Sequence, residues 1–181
     1  MRPKMPKLYA RFGTVSSGKS TALLVAAHQY GDRAVIWKAS MDERTVEIHS
    51  RVPGLSRMPD AVIGDGHFPE IDEKVDCVFV DEASLLSAED IDHLAKLTDR
   101  VPVICYALRT DWKGHAFEGS VRLFELADSI EEIKSICKSE GCRSKATHNQ
   151  KLGEQTGPSV QLGFEDIYRP VCRRHFYFYT C

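Results

Sequence analysis

The sequence has no long apolar run, since none of its hydrophobic stretches approaches the roughly 20 residues that a membrane-spanning helix requires. Its first residues, Met1-Arg2-Pro3-Lys4, lead into a predicted strand instead of the apolar stretch of a secretory signal. Internal repeats and low-complexity tracts are also absent from the sequence. These absences lead us to expect a soluble, cytoplasmic protein with no membrane partner.

The net charge is small as well, because 24 Lys and Arg residues face 26 Asp and Glu residues and leave a formal charge of -2. Binding to a nucleic-acid backbone depends on a clustered positive surface. The composition therefore speaks against a general nucleic-acid binder, although a local basic cluster is compatible with it. The 181 residues suit one domain, or one domain with a small appendage, and can bury a substantial core.

One complete phosphate-binding motif stands near the start of the chain. Residues 13–21 read Gly-Thr-Val-Ser-Ser-Gly-Lys-Ser-Thr, which fits G-x-x-x-x-G-K-[ST], between a predicted strand and a predicted helix. The two glycines allow a tight turn whose N–H groups face a polyphosphate at the positive end of the helix. We expect a nucleotide and Mg²⁺ to contact Gly13, Ser16, Ser17, Gly18, Lys19, Ser20 and Thr21.

Strands and helices alternate after this motif, which predicts a parallel α/β sheet with flanking helices. The first helix ends at Gly31-Asp32, and a second helix is predicted to begin after its cap, Ser87. The stretch from 41 to 60 is polar and broken by proline, so we expect it to be irregular. The predicted strands span 7–12, 34–39, 61–63, 75–82, 101–108 and 129–136, and a third helix spans 119–127.

The character of the sequence changes at about residue 136. Glycine interrupts the chain often beyond this point, and we expect no regular helix there. We therefore predict a P-loop nucleotide-binding domain over residues 1–136 and a small metal-binding domain over residues 137–181.

The cysteines divide into two groups. Cys77 and Cys105 lie in apolar, strand-like runs, whereas three others fall late in the chain and form two ligand pairs with a histidine. Such pairs hold tetrahedral Zn²⁺ in a closed structural site, and incidental cysteines are the alternative. The predicted ligands are Cys137, Cys142, Cys172 and His175. We expect the terminal Cys181 not to be a ligand, and we expect surface or helix positions for His28, His49, His67, His93, His115 and His148.

Two acids, Asp81 and Glu82, close the apolar run of residues 75–80. The carboxyl end of a parallel strand faces the ligand-binding edge of such a sheet. Asp81 is placed to hold Mg²⁺, and Glu82 to accept a proton from an attacking hydroxyl or water. Two solvated acids at a strand end are the alternative, but the phosphate loop upstream favours the functional interpretation.

Two further loops follow predicted strands at the same edge. Asp42-Glu43-Arg44 supplies a guanidinium suited to phosphate oxygens, although a surface charge triplet fits the sequence equally well. The loop at 108–119 contains Trp112 and Phe117, which either sandwich a planar ring or pack as ordinary core side chains.

Together these segments resemble the thymidine kinases of the cytosolic, zinc-containing type, particularly their bacterial and phage members. The resemblance covers nearly the whole chain. It rests on the phosphate loop, the helix at 21–30, Asp42-x-Arg44, Val-Phe-Val-Asp-Glu-Ala at 78–83, Cys-Tyr-Ala-Leu-Arg-Thr-Asp-Trp at 105–112, Phe-Glu-Gly-Ser at 117–120 and the closing Tyr168-x-x-x-Cys172-x-x-His175.

The resemblance implies transfer of a phosphoryl group from MgATP to the 5′-hydroxyl of thymidine or deoxyuridine. It implies that Glu82 is the general base and that Asp81 is the acidic residue that holds Mg²⁺. It also implies that Asp42 and Arg44 lie near the reacting phosphates. A lasso-like loop that includes residues 160–168 would cover the base, and structural zinc would hold this lid together. The implied nucleoside contacts are Val15, Leu85, Trp112, Phe117, Val160, Gly163 and Tyr168. The resemblance also implies a homotetramer and feedback inhibition by dTTP.

The chain departs from the family pattern at several places. Ser84-Leu85-Leu86 replaces a glutamine or histidine followed by phenylalanine, the first cysteine pair is two residues wider than usual, and Leu162-Gly163-Phe164 lacks one of two paired glycines. A kinase for another deoxynucleoside is therefore one alternative. The other is a P-loop ATPase whose zinc ribbon binds nucleic acid or a protein through Arg143, Lys145, Arg169, Arg173 and Arg174.

Overall fold

The computed structural model describes residues 6–40, 47–153 and 167–178. Its strands are β1 (Leu8–Gly13), β2 (Ala34–Ala39), β3 (Ile48–His49), β4 (Ser56–Arg57), β5 (Ala61–Ile63), β6 (Cys77–Asp81), β7 (Val103–Leu108), β8 (Ser129–Ile133), β9 (His148–Lys151) and β10 (Tyr168–Val171). Its α-helices are α1 (Lys19–Tyr30), α2 (Ala88–Leu97), α3 (Glu118–Leu126) and α4 (Arg173–Tyr177). Single 3-10 turns lie at Gly31–Arg33 and Ala83–Leu85.

A six-stranded sheet forms the centre of the molecule, with the strand order β5-β2-β6-β7-β1-β8. Every pair of neighbours in it is parallel. This confirms the predicted parallel α/β sheet. All of its carboxyl ends lie at one edge, so the loops after β1, β2, β6 and β7 meet there.

Helices cover both faces of this sheet. Successive side chains along a strand point to opposite faces, and the buried strands therefore present apolar side chains on both. On one face, Val78 and Val80 of β6 pack with Ile91 and Leu94 of α2 and with Leu123 of α3. On the other face, the buried side of α1 packs on the neighbouring strands; this cluster includes Leu23, Leu24, Ala27, Ile36, Phe79, Ile104 and Tyr106. The result is a three-layer α/β/α core.

The segment predicted to be irregular contains a small hairpin. Ile48 and His49 of β3 pair antiparallel with Arg57 and Ser56 of β4. Ile48 is fully buried in the cluster under α1, which fixes the hairpin to the core. Two-residue strands are too short to show a period in the sequence.

The C-terminal part consists of β9 and β10, which pair antiparallel, followed by α4. The expectation of no regular helix beyond residue 136 is therefore wrong, because α4 spans five residues directly after Cys172. The bridge between Ile136 and Lys145 closes the segment that carries the first two cysteines. None of the helices in the described parts of the chain has the length and apolar character needed to cross a membrane.

Asp90 fixes the start of α2 to the turn after β5. With Ser87 it forms a capping box, in which the Ser87 hydroxyl accepts from the Asp90 N–H at 3.1 Å. Its carboxylate accepts N–H bonds from Gly66 at 3.0 Å and from Asp65 and Ser87 at 3.3 Å each. Burial alone would raise the pKa of this carboxyl, but the N–H donors outweigh burial and lower its pKa below the ordinary 3.8.

We expect Asp90→Ala to lower the free energy of unfolding by about 1–2 kcal/mol at neutral pH, because it removes the carboxylate half of the capping box and leaves three N–H groups without their acceptor. A carboxyl with a lowered pKa stabilises the fold above its unfolded pKa and loses this contribution as the pH falls through its folded pKa. Urea unfolding should therefore show the difference between the two proteins shrinking below about pH 4. Glu89 is exposed in the same turn, so Glu89→Ala is the matched control. If the stability difference between the wild type and Asp90→Ala did not change with pH, the assigned role of the Asp90 carboxylate would be contradicted.

Candidate active site at the carboxyl edge of the sheet

The phosphate loop connects β1 to α1 with a tight backbone path. A Cβ at Gly13 would collide with the Ser17 side chain, and Gly18 has a φ of 87°, which glycine adopts without a steric penalty. Ser16 also has a positive φ, at 58°. Such conformations in residues other than glycine persist where the surrounding structure enforces them, often at functional sites.

The side chains at the start of α1 face the sheet edge. Lys19 is 7% exposed, and its ammonium donates to the carbonyl of Thr14 at 3.1 Å, so the side chain lies folded over the loop. The Ser20 hydroxyl lies 3.4 Å from a carboxylate oxygen of Asp81. Asp81, the predicted Mg²⁺ ligand, therefore lies next to the phosphate loop, although β7 separates β6 from β1 in the sheet.

Glu82 follows Asp81 in a left-handed conformation, with φ 52° and ψ 36°. This conformation costs a residue with a Cβ roughly 1–2 kcal/mol. It turns the chain sharply between β6 and the 3-10 turn at Ala83–Leu85 and leaves Glu82 half-buried. Glu82 lines one cavity together with the phosphate loop.

The turn after Glu82 is held by two neighbours. The buried Ser84 hydroxyl accepts the backbone N–H of Leu108 at 3.3 Å. Gly119 packs against the same turn so closely that a Cβ there would lie 2.6 Å from the carbonyl oxygens of Ala83 and Leu86. Ser84 therefore fixes the turn to the end of β7, and Leu85 packs half-buried against the first core cluster.

The cavity at the loop measures about 90 Å³. It is lined by Val15, Ser16, Gly18, Lys19, Ser20, Thr21, His49, Ser50, Arg51, Glu82, Leu108 and Tyr168. Val15 and Tyr168 therefore share it with the predicted base, whereas neither Trp112 nor Phe117 is among the described residues that line it. Trp112 is buried, and the ammonium groups of Lys113 and Lys151 lie 5.0 Å and 5.4 Å from its ring centroid. Phe117 is half-buried immediately before α3.

Four predicted site residues lie outside the described residues: Asp42, Arg44, Val160 and Gly163. Their roles stay predictions.

Two residues beside the loop were missed by the sequence analysis. Ser50 and Arg51 follow β3, and the Ser50 hydroxyl lies 2.7 Å from that of Thr21. The Arg51 guanidinium donates to the hydroxyl of Ser16. Ser50 and Arg51 reach the phosphate loop because the β3–β4 hairpin folds back over α1. No local pattern in the sequence predicts this contact.

Lys38 and Asn149 were also missed. Lys38 is 3% exposed, and its position in β2 is paired with that of Asp81 in β6. A lysine inside the otherwise apolar run 34–39 was a signal that could have found it. Asn149 of β9 accepts the backbone N–H of Val15 at 2.8 Å and donates to the Thr110 carbonyl at 3.0 Å.

His148 precedes Asn149 on β9, so the expected surface or helix position is wrong. Its ring is 9% exposed and stacks on Phe176 with the centroids 4.4 Å apart. Burial, followed by the charges of Arg109 and Arg173, lowers the pKa of this histidine. His148 therefore acts as a core residue between β9 and α4.

The four predicted zinc ligands converge in space. Their ligand atoms all lie within 4.8 Å of one another, and Nδ1 of His175 is 3.1 Å from the sulfur of Cys172 and 3.5 Å from that of Cys137. Tetrahedral Zn²⁺ with these donors places its ligand atoms about 3.5–3.8 Å apart. The set therefore fits a closed Cys₃His zinc site, and α4 positions His175 three residues after Cys172.

The electrostatics of this cluster suit a dication. Burial alone would raise the pKa of the Cys137 thiol, but the backbone N–H groups of Ser139 and Cys172 outweigh it and lower the pKa to about 6. Burial and the neighbouring Cys137 raise the pKa of Cys172. Thiolates are the metal-binding form, and a dication between two of them offsets their repulsion.

A parallel sheet that carries a G-x-x-x-x-G-K-S loop between β1 and α1, with an acid pair across the edge, defines a P-loop nucleotide-binding enzyme. The profile of the thymidine kinase family matches residues 6–176. The chain is 38% identical over 192 aligned positions to the thymidine kinase of Haemophilus influenzae, covering 95% of this chain and 96% of that protein. It is 36% identical over 190 positions to the thymidine kinase of Streptococcus gordonii, covering 96% and 97% of the two chains. The chain belongs to the thymidine kinase family.

Proposed function

We propose that this protein transfers the γ-phosphoryl group of MgATP to the 5′-hydroxyl of thymidine or deoxyuridine, giving dTMP or dUMP and ADP. The observation that carries the proposal is the single cavity shared by the phosphate loop, the strained Glu82 and Tyr168. A phosphate donor in the loop and a hydroxyl next to the carboxylate would meet within it. Membership of the thymidine kinase family supports the choice of nucleoside.

Two groups at the loop fit Mg²⁺. The Ser20 hydroxyl and the Asp81 carboxylate are oxygen donors that approach to 3.4 Å, and this hard ion prefers oxygen ligands. Bound Mg²⁺ would neutralise charge on the phosphate oxygens. The loop N–H groups and Lys19 would hold the polyphosphate, and Asp42 and Arg44 are proposed to lie beside it.

Glu82 is proposed as the general base. Its carboxylate would accept the proton of the 5′-hydroxyl as the hydroxyl oxygen bonds to the γ-phosphorus and the bond from that phosphorus to the bridging oxygen of ADP breaks. Because the transition state is largely dissociative, most of the catalysis comes from positioning and charge neutralisation. The sharp turn fixed by Ser84 and Gly119 supplies the positioning.

The nucleoside is proposed to lie under the C-terminal part of the chain. Val15 and Tyr168 would contact it from the loop and from β10. Leu85, Trp112 and Phe117 would surround the base, and Val160 and Gly163 would lie on a lasso over it.

We propose residues 1–136 as the kinase domain and 137–181 as the zinc-held lasso domain. Structural Zn²⁺ on the Cys₃His cluster would maintain the lid. A homotetramer inhibited by dTTP is also proposed.

Two of the five basic side chains named for the nucleic-acid-binding alternative have partners within the protein. Lys145 forms an ion pair with Glu132, and the Nε–H of Arg169 donates to the Gln150 side chain at 2.8 Å. Arg143, Arg173 and Arg174 are exposed, so membership of the thymidine kinase family, and not these contacts, favours the kinase over this alternative.

The proposal predicts that ADP release from MgATP depends on thymidine. A coupled assay should compare thymidine and deoxyuridine with deoxycytidine, deoxyadenosine, deoxyguanosine and a blank without nucleoside. We expect turnover with the first two well above the blank. Turnover only with another nucleoside would replace the substrate, and turnover in the blank alone would indicate an ATPase.

A further inference from the structure

The hairpin β3–β4 brings a positive charge to the mouth of the phosphate loop. We propose that Arg51 is a ligand of the nucleotide's phosphate groups, a role that rests on and deepens the proposed kinase function. The exposed guanidinium lines the same cavity as Lys19, Ser20 and Glu82. It donates to the hydroxyl of Ser16, a loop residue on the surface of that cavity.

The backbone at Arg51 is held in place by its neighbours. Ile48 is 1% exposed in the cluster beneath α1. The Ser50 hydroxyl lies 2.7 Å from that of Thr21 and accepts the N–H of Val52 at 3.0 Å, while the Ser50 N–H donates to the carbonyl of Leu55 at 3.0 Å. The hairpin is therefore anchored to the first turn of α1, the element that presents the phosphate loop.

The chemistry of the group favours phosphate as its partner. A guanidinium presents paired donors that match phosphate oxygens bidentately, and it attracts the negative charge of a phosphate, which the neutral Ser16 hydroxyl does not carry. A polyphosphate placed in the loop lies next to Ser16. The guanidinium can then move from the hydroxyl to the phosphate by a side-chain rotation, without any shift of the anchored backbone.

Arg57 on β4 supplies a matched control on the same hairpin. Its guanidinium pairs with Asp60 at 3.0 Å, and it does not line the cavity. Arg57→Gln therefore removes the same charge from the same hairpin at a position away from the nucleotide. Arg51→Lys keeps the charge but loses the paired donors.

Calorimetric titration of the full chain with MgATP, and separately with MgADP, tests the proposal without a nucleoside. We expect Arg51→Gln to weaken MgATP binding by about 10- to 100-fold, Arg51→Lys to weaken it less, and Arg57→Gln to leave it within about twofold. Added salt should weaken binding to the wild type more steeply than binding to Arg51→Gln. The melting temperature without nucleotide should stay the same in both glutamine variants.

Unchanged MgATP affinity in a folded Arg51→Gln protein would overturn the proposal. An equal loss in Arg57→Gln would also overturn it, because the hairpin's general charge would then be responsible. Because the titrations contain no nucleoside, their outcome does not depend on which nucleoside the protein phosphorylates. If the wild type binds MgATP but shows no thymidine-dependent turnover, the proposed thymidine kinase function fails, while the titrations still decide the role of Arg51.

Discussion

Replacing Glu82 by Gln should lower kcat by about 10²–10⁴-fold, the usual contribution of a general base, while the Kd for MgATP stays within about twofold. Glutamine keeps the length of the side chain but accepts no proton at neutral pH. It also tolerates the left-handed backbone no better and no worse than glutamate, so the turn between β6 and Ser84 should persist. The variant should therefore separate chemistry from binding.

Initial rates with saturating thymidine and MgATP give kcat, and calorimetry gives the MgATP affinity. Glu89→Gln, which makes the same change on the exposed surface of α2, should retain wild-type turnover. An unchanged kcat in the Glu82 variant would remove Glu82 from the role of base. A parallel loss of MgATP binding would assign it to the nucleotide instead.

Cys172→Ser should abolish zinc retention and raise the KM for thymidine by more than about tenfold, because a structural zinc site supplies much of the folding free energy of a small metal-held segment. Cys172 lies between β10, which carries Tyr168, and α4, which carries His175, so these elements should loosen first. The Kd for MgATP should change less, since Asn149 supplies one bond to the Val15 N–H while the remainder of the loop is formed by β1 and α1.

Zinc content by mass spectrometry, initial rates for the KM of thymidine and calorimetry for the Kd of MgATP measure the parts of this expectation. Cys181→Ser is the matched control and should retain full zinc content. Equal losses of thymidine and MgATP binding would indicate unfolding of the whole protein instead of a loosened lid. Full zinc retention in Cys172→Ser would exclude Cys172 as a ligand.

The parts of the fold that the sequence predicted are those with a local signal. The phosphate loop is a fixed pattern of eight residues, and β6 and β7 are buried runs that can be recognised without knowing their neighbours. The metal cluster was also predictable, because cysteines and a histidine at ligand spacing have few other uses. The four ligand atoms lie within 4.8 Å of one another, as a shared metal site requires.

The parts that the sequence did not predict depend on contacts between distant segments. Arg51 reaches Ser16 only because the hairpin folds over α1, and Asn149 reaches Val15 only because β9 packs against the loop. The strand His148–Lys151 is polar yet mostly buried, so hydrophobic periodicity could not reveal it. The helix α4 is too short for a helical period to be recognised.

The position of β1 in the sheet affects how the protein is made. Both of its partners, β7 and β8, come late in the chain; for example, Arg11 and its partner Tyr106 are 95 positions apart. As the polypeptide leaves the ribosome, the phosphate loop therefore emerges long before the strands that support it. Parallel pairing at such separation is slow and leaves apolar edges exposed. In the nascent chain β1 therefore stays without both of its sheet partners until residue 133 has been released, and nucleotide binding should come late in its maturation.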